Sequence, residues 1–441
     1  MKNRILLNLG KKDATSPISN FLLVLLMYML FFRQVYSYRG MPYVTQGKGS
    51  IVYEQMSMSN TITALTGLIA LFCVLFLFLN TRFVTSGAYL ITGVVLMAGV
   101  CVWTVLAGFD VGFGQLVYTT TPPWVYVTAL MFCVGLNEKL FVLFLKHAKI
   151  LGILSVILCF VSTLSFFVSH GGNILADCSN LRYYIQGFWL LCICSFFDEN
   201  TKKPFVYICV IFFAVMSFAF SSRSWLIQSG LWLIVYTYFS QKKKSVAKIV
   251  KTMVLAIILA VVAFVIVQRY FPELFDIISE KKSPMETRAF QYTDLFSQTN
   301  IWDFIIGKGY SFSYISSLTG EMYSYIDNAY LLMLVRYGLM IGLTYPLIFA
   351  IPAFKLRFSK QTMPLVLWLM ALGGLSIFCA TIMDLKSIAV PIVAGRCMYI
   401  ACQVQAHRLL TDQNPTSSGH KYHYRPLRKN PLRKPALMHR P

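Results

Sequence analysis

Long apolar runs, separated by short polar segments, constrain this sequence more than any other feature. The chain has 441 residues, of which 57% are hydrophobic and 13% are charged. A bilayer core about 30 Å thick is crossed by about 20 apolar residues of α-helix, and these runs do not alternate as the strands of an outer-membrane barrel would. The sequence therefore predicts an all-α polytopic membrane protein with about twelve transmembrane helices.

The limits of the predicted spans follow the apolar runs. Pro122 and Pro123 interrupt the fourth of them. The first run follows a basic segment and lacks a small-residue cleavage site, which predicts a retained signal anchor with the N-terminus in the cytoplasm. The twelve predicted spans are 17–36, 61–80, 87–107, 116–136, 150–168, 183–197, 204–220, 224–240, 252–268, 328–352, 363–383 and 387–404.

The placement of lysine and arginine predicts the orientation independently, because cytoplasmic loops collect these residues. Alternation from an inner N-terminus puts 26 of them on inner segments and 12 on outer segments, with Arg396 inside the last span. Residues 269–327 then form one large extracytoplasmic loop between a first bundle (1–268) and a second (328–404). The net charge of +22 is explained by orientation and anionic lipid, so no nucleic-acid partner is predicted. The basic, proline-containing tail 405–441 is predicted to be disordered.

The large loop carries a helix-start pattern, Ser-Pro-x-Glu, which predicts a short helix over about 284–298. On that helix Arg288 and Tyr292 lie one turn apart and share a face. A solvated ion pair of Arg288 with Glu286 or Asp294 is an equally good explanation of this arginine.

Two further features of the outer segments fit an anion. Arg223 lies at the short junction of the seventh and eighth spans, beside a helix N-terminus that already favours anions. The alternative is a snorkelling arginine that marks the interface. Gly307-Lys308-Gly309 would form a backbone nest for an anion, or only a turn.

The tenth span begins at Asp327 and Asn328 and contains Arg336. Asp327 is a candidate N-cap of that helix. An arginine inside a span costs several kcal/mol unless it faces a polar cavity or a partner, so Arg336 is a functional candidate. Arg396 in the last span is a functional candidate for the same reason. The alternative is an ion pair inside the bundle.

Together, Arg223, Arg288 and Arg336 predict a phosphate ligand at the outer leaflet, carried by a lipid, because guanidinium groups bind phosphate oxygens in a bidentate fork. The outer segments contain one histidine, His170, and no Asp-x-Asp pair or His/Cys cluster. The sequence therefore predicts no metal site, and no cofactor.

At these positions the chain resembles the Wzy-type polysaccharide polymerases and the related O-antigen ligases of bacteria. The resemblance covers about residues 200–350 by motif and the rest by architecture, with a large outer loop before the last three spans. Its motifs are Ser222-Arg223-Ser224, Thr287-Arg288-Ala289, Gly307-Lys308-Gly309, Asp327-Asn328-Ala329-Tyr330 and Arg336-Tyr337-Gly338.

The resemblance implies a glycosyltransferase of the bacterial cytoplasmic (inner) membrane that uses glycans linked to undecaprenyl diphosphate. A polymerase moves a growing chain onto the next lipid-linked repeat unit, and a chain-length regulator is its implied protein partner. A ligase moves finished chains onto lipid A-core. Ligase-like members carry a histidine before the span where this sequence has Asp327-Asn328. The large loop here has none, which favours a polymerase.

The resemblance also implies roles for the residues of the outer face. Arginines would stabilise the charge that develops on the diphosphate, in place of a metal ion. Asp327 is the candidate base for the acceptor hydroxyl, with Glu321 or Glu286 as replacements. The implied catalytic residues are Arg223, Arg288 and Asp327, and the implied substrate-binding residues are Arg336, Tyr292, Asn328 and Lys308.

A lipid-linked oligosaccharide flippase is the alternative from another functional class. A flippase would place charged residues along a central cavity. An internal repeat would favour a transporter, and the halves 17–200 and 204–404 show no such repeat. A purely structural scaffold leaves Arg336 unexplained.

Overall fold

The computed structural model describes most of the predicted membrane helices and the second half of the large loop. The described residues are 15–38, 43–46, 50–53, 60–83, 85–118, 122–169, 187–198, 201–219, 223–239, 287–317, 320–324, 326, 328–356 and 385–413, together with the single positions 254, 265, 269 and 366.

The first part of the described chain is built of apolar helices. An antiparallel hairpin of β1 (Tyr43–Gln46) and β2 (Ser50–Tyr53) lies between the first two of them. The helices are α1 (Pro17–Tyr38), α2 (Asn60–Asn80), α3 (Gly87–Val111), α4 (Phe113–Tyr118), a 3-10 helix (Pro123–Met131), α5 (Phe132–Leu136), α6 (Glu138–Ser169), α7 (Phe188–Phe197), α8 (Lys203–Ala219) and α9 (Arg223–Phe239).

The second part starts in the predicted outer loop and returns to the membrane bundle. The loop contributes two short helices and a two-stranded antiparallel hairpin. The elements are α10 (Thr287–Ser297), α11 (Ile301–Ile306), β3 (Tyr314–Ile315), β4 (Met322–Tyr323), α12 (Ala329–Gly342), α13 (Thr344–Lys355) and α14 (Leu385–Gln413).

Several described helices are suited to a bilayer. Helices α3 and α6 and most of α14 are long and apolar enough to cross it, and α12 with α13 pass the same test as a pair bent by 65°. Shorter apolar helices accompany them. The chain is thus a helical protein of the membrane type, while the number of twelve spans stays a prediction.

The fourth predicted span, 116–136, does not form one regular helix. Beyond its prolines the chain forms the 3-10 helix and then α5, and every residue of these two elements is buried. Two glycines allow the backbones of α5 and α14 to approach closely. A Cβ on Gly135 would lie 2.5 Å from the Arg396 backbone nitrogen, and one on Gly395 would lie 2.7 Å from the Phe132 carbonyl carbon. Residues 123–136 therefore pack inside the bundle, and no side of these two elements is exposed.

Other predicted limits also change. The fifth span begins at Glu138 instead of residue 150, because α6 has 32 residues, more than the roughly 20 that a bilayer core requires. Helix α14 continues to Gln413, into the segment 405–441 that the sequence predicts to be disordered. The predicted spans 252–268 and 363–383 lie outside the described residues, except for single positions.

Contacts between helix ends agree with the predicted alternation. On the predicted inner side, the Asn137 side-chain amide donates to the Arg82 carbonyl at 3.0 Å. On the predicted outer side, the Ser311 backbone N–H donates to the Asp110 carboxylate at 3.3 Å. Ends that the sequence assigns to one side thus lie together, and the orientation in a membrane remains a prediction.

Candidate functional site

Helix α12 is broken at Gly338, and this break lies at the predicted outer end of the bundle. Gly338 has φ 61° and ψ −160°, which is not helical and which side chains other than glycine rarely adopt. A Cβ at this position would also lie 2.5 Å from the Ile306 carbonyl carbon. The segment Ile305–Gly309 of the predicted outer loop therefore packs directly on the broken backbone of α12.

The carbonyls next to the break are satisfied by the loop. Lys308 N–H donates to the Val335 carbonyl at 2.8 Å, and Gly309 N–H donates to the Arg336 carbonyl at 2.9 Å. Buried backbone carbonyls need such partners when the helical ladder stops. The predicted anion nest at Gly307-Lys308-Gly309 is therefore wrong, because these N–H groups already bind protein carbonyls.

Arg336 is buried beside this junction, with 7% of its surface exposed. Its Nη2 donates to the Ser324 carbonyl at 2.6 Å, and its guanidinium lies 5.4 Å from the centre of the Tyr310 ring. Its Nε has no hydrogen-bond partner among the described residues. Because helical side chains lean towards the helix N-terminus, the guanidinium reaches towards the start of α12.

Helix α3 provides a depth scale for this site. It rises 1.5 Å per residue, so Trp103 lies about 24 Å and Asp110 about 35 Å along the axis from Gly87. If the hydrocarbon core of about 30 Å begins at Gly87, Trp103 lies about 6 Å below the outer boundary and Asp110 lies among the headgroups. The Trp103 ring packs edge-on against Tyr337 at 5.6 Å. With that origin, Arg336, the neighbour of Tyr337, would lie near the outer boundary of the hydrocarbon core.

Aromatic rings from distant parts of the chain surround the break. Tyr126 of the 3-10 helix packs edge-on against Tyr337 at 5.6 Å and against Tyr345 at 5.8 Å. Tyr330 continues this group at 6.2 Å from Tyr345. Tyr126 and Trp103 were missed by the sequence analysis, because nothing in their own spans distinguishes them from other lipid-facing or packing aromatics.

Asp110 was also missed. It is an exposed carboxylate near the C-terminal end of α3, and it accepts the Ser311 N–H in the turn that contains Tyr310. The signal was present in the sequence, since an acidic residue ends an otherwise apolar run. Its position beside Arg336 could not be predicted, because Asp110 and its partner Ser311 are 201 residues apart in the chain.

Lys308 has local partners. Its Nζ donates to the Gln298 carbonyl at 3.1 Å and lies 3.3 Å from the Asp303 carboxylate. It also lies 5.4 Å from the centre of the Phe312 ring. The predicted substrate-binding lysine is therefore part of the packing of the loop, with its side chain about one-third exposed.

Asn328 is the N-cap of α12. Its side-chain oxygen accepts the N–H groups of Tyr330 and Leu331, both at 3.1 Å. The capping role that the sequence suggested for Asp327 is thus filled by the next residue. Asp327 itself lies outside the described residues.

The remaining predicted residues are placed by their backbones or by packing. Arg223 begins α9 and Arg288 lies in the first turn of α10, and the description does not extend to their side chains. Tyr292 packs against a small hydrophobic core formed by α10, the hairpin and the outer part of α12. Asp294, a suggested partner of Arg288, accepts the Ser317 N–H at 2.8 Å.

Arg396 is explained by an ion pair inside the bundle, as the sequence analysis allowed. Its Nη2 donates to one oxygen of Glu138 at 3.1 Å, and its Nη1 pairs with the other. The rings of Phe141 and Tyr399 lie 4.7 Å from the guanidinium. Arg396 therefore ties α14 to the start of α6 and is separate from the outer site.

Comparisons of the chain with models of known protein families, with curated proteins and with solved structures gave no match. Within the part of the chain that the structure describes, no group of three or more His, Cys, Asp or Glu side chains could hold a metal ion. The assignment of a function thus depends on the site itself and on the motifs of the sequence.

Proposed function

We propose that this protein is a polysaccharide polymerase, a glycosyltransferase that moves a growing glycan from an undecaprenyl-diphosphate carrier onto a lipid-linked repeat unit. The reaction takes place at the outer face of the bacterial cytoplasmic membrane. The observation that carries the proposal is Arg336, a buried guanidinium that reaches towards the start of a broken helix in a predicted span. A permanently charged fork at such a position would fit the diphosphate of a lipid carrier.

In the proposed reaction, a hydroxyl of the acceptor sugar attacks the anomeric carbon of the donor glycan. The bond from this carbon to the diphosphate oxygen breaks, and undecaprenyl diphosphate leaves with both electrons of that bond. Arg336, with Arg223 and Arg288, would stabilise the charge that develops on the diphosphate. The hydroxyl proton passes to a carboxylate, for which Asp327 is the first candidate and Glu321 the second.

The local contacts divide the predicted residues into two groups. Lys308 and Asn328 are engaged in packing the loop and in capping α12, so the proposal gives them a role in shaping the site. The arginines carry the binding of the diphosphate. Tyr310, which covers one face of the Arg336 guanidinium, would limit the access of water to the bound phosphate.

The test is complementation of a deletion strain, with the glycan chain length as the readout. Arg336→Lys can still donate to the Ser324 carbonyl but lacks the bidentate fork, so it should restore long glycan poorly at an equal amount of membrane protein. Arg396→Lys, in the inner ion pair, serves as the control for a buried arginine away from the site, and it should retain long glycan. Full activity of Arg336→Lys would contradict the proposed role.

The glycan that accumulates in the deletion strain separates the alternative functions. Single repeat units attached to lipid, exposed on the outer face, are the result expected for a lost polymerase. Long chains that are not attached to an acceptor would instead indicate a ligase. Lipid-linked units that stay on the inner face would indicate a flippase.

A further inference from the structure

We propose that helix α11 is an interfacial anchor, which inserts its exposed face into the outer leaflet of the membrane. The partner of this face is the lipid itself, at the boundary between headgroups and acyl chains. This placement of the loop does not depend on whether the protein is a polymerase.

The exposed face of α11 is apolar. Ile301, Trp302, Ile305 and Ile306 are 68%, 64%, 40% and 65% exposed, and their spacing puts them on one side of the helix. Phe304 points the other way and packs against the small core of the loop. A contiguous apolar patch of this kind in water marks an interaction surface.

The position of α11 indicates that lipid covers this patch. The helix ends at Gly307, where a Cβ would lie 2.8 Å from the Trp103 ring and 2.7 Å from the Arg336 carbonyl oxygen. If the hydrocarbon core begins at Gly87, Trp103 lies about 6 Å below its outer boundary on the scale of α3. Interfacial helices bury their apolar faces about 5–10 Å into this boundary, so the end of α11 lies at the depth of such a helix.

The neighbouring membrane helices expose apolar side chains at the same level. Val102 and Leu106 of α3, and Leu339 and Met340 of α12, are all more than 40% exposed. These residues belong to predicted spans, so their exposed side chains face acyl chains. The patch on α11 thus continues the lipid-facing surface of the bundle at its outer rim, and Trp302 is the residue type that is enriched there.

The N-terminal N–H groups and the charged side chain of α11 have partners within the loop, which lowers the cost of placing the helix near hydrocarbon. Asn300 accepts the N–H groups of Trp302 and Asp303 at 2.9 and 3.2 Å, and the Asp303 carboxylate accepts the Asn300 N–H at 2.8 Å. This is a complete capping box. The charge of Asp303 is paired with Lys308 at 3.3 Å, so no unpaired charge on this helix opposes insertion.

The depth of α11 can be measured on the full chain in liposomes of phosphatidylcholine and phosphatidylglycerol. A nitroxide label is attached at Trp302→Cys and, separately, at Ile306→Cys, so that the failure of one variant to fold leaves the other. Val102→Cys is the lipid standard. Glu321→Cys is the water standard, because an exposed carboxylate position at a turn lies in water. The parent chain is labelled in parallel to subtract the signal of the native cysteines.

The readout is the ratio of collision rates with oxygen, which concentrates in hydrocarbon, and with a water-soluble nickel chelate. The ratios at 302 and 306 should be severalfold higher than at 321 and should approach the ratio at 102. Ratios at 302 and 306 equal to that at 321 would overturn the proposal, because lipid is then absent from the patch in a membrane that contains this protein alone.

Discussion

The substitution Gly338→Ala tests whether the broken helix holds the loop. An added Cβ costs about 1–2 kcal/mol at the left-handed φ of this residue. It also displaces the Ile306 carbonyl, which loosens the two hydrogen bonds from Lys308 and Gly309. Each of these bonds contributes about 0.5–1.5 kcal/mol. The total loss of stability is therefore expected to be about 2–5 kcal/mol.

Gly112→Ala is the matched control for this prediction. Gly112 also has a positive φ, 84°, but no atom lies within 4 Å of its Cβ position. It should lose only the conformational part, about 1–2 kcal/mol. The free energies of unfolding are compared by titration with sodium dodecyl sulfate in mixed micelles, and proteolysis between residues 287 and 323 reports release of the loop. Equal losses in the two variants would refute the docking of the loop on Gly338.

Three other predictions concern the ion pair, the cap and the orientation. Glu138→Ala should cost about 3–5 kcal/mol because it leaves Arg396 buried without its partner, and adding Arg396→Met should restore most of this loss; an unchanged midpoint in the single variant would contradict it. Asn328→Ala should lower the free energy of unfolding by about 1 kcal/mol, because it removes the cap of α12. Asp327→Asn should leave stability unchanged and cut turnover by roughly 10²–10⁴-fold. A wild-type turnover rate of Asp327→Asn would show that another carboxylate is the base. A reporter that works only outside the cytoplasm should be inactive when fused near Lys244, and activity there would contradict the orientation.

The helices that local hydropathy specifies were predicted closely. Helices α2, α8 and α9 begin and end within one residue of the predicted spans 61–80, 204–220 and 224–240. In these segments the length of the apolar run is itself the physical determinant, since it must match the bilayer. The burial of Arg336 could also be predicted from the sequence, because a charge inside a span requires protein partners.

The features that depend on distant contacts were not accessible from the sequence. Gly338 is one glycine among 26, and its unusual conformation is determined by the Ile305–Gly309 turn that packs on it. Pro122 and Pro123 indicated that the fourth predicted span is irregular. Its burial could not be predicted, because it depends on the contact of Gly135 with α14. The prediction of an anion nest at Gly307-Lys308-Gly309 failed for the same reason. Its N–H groups bind carbonyls of α12 that become available only where the helix breaks.

The most direct test of the proposed polymerase is reconstitution of the purified protein in liposomes with undecaprenyl-diphosphate-linked repeat units as the only glycan substrate. We expect a ladder of lipid-linked chains that grows with time, one free undecaprenyl diphosphate for each bond formed, and a strong loss of both products in Arg336→Lys. Repeat units that stay single in the presence of the folded wild-type protein would contradict it.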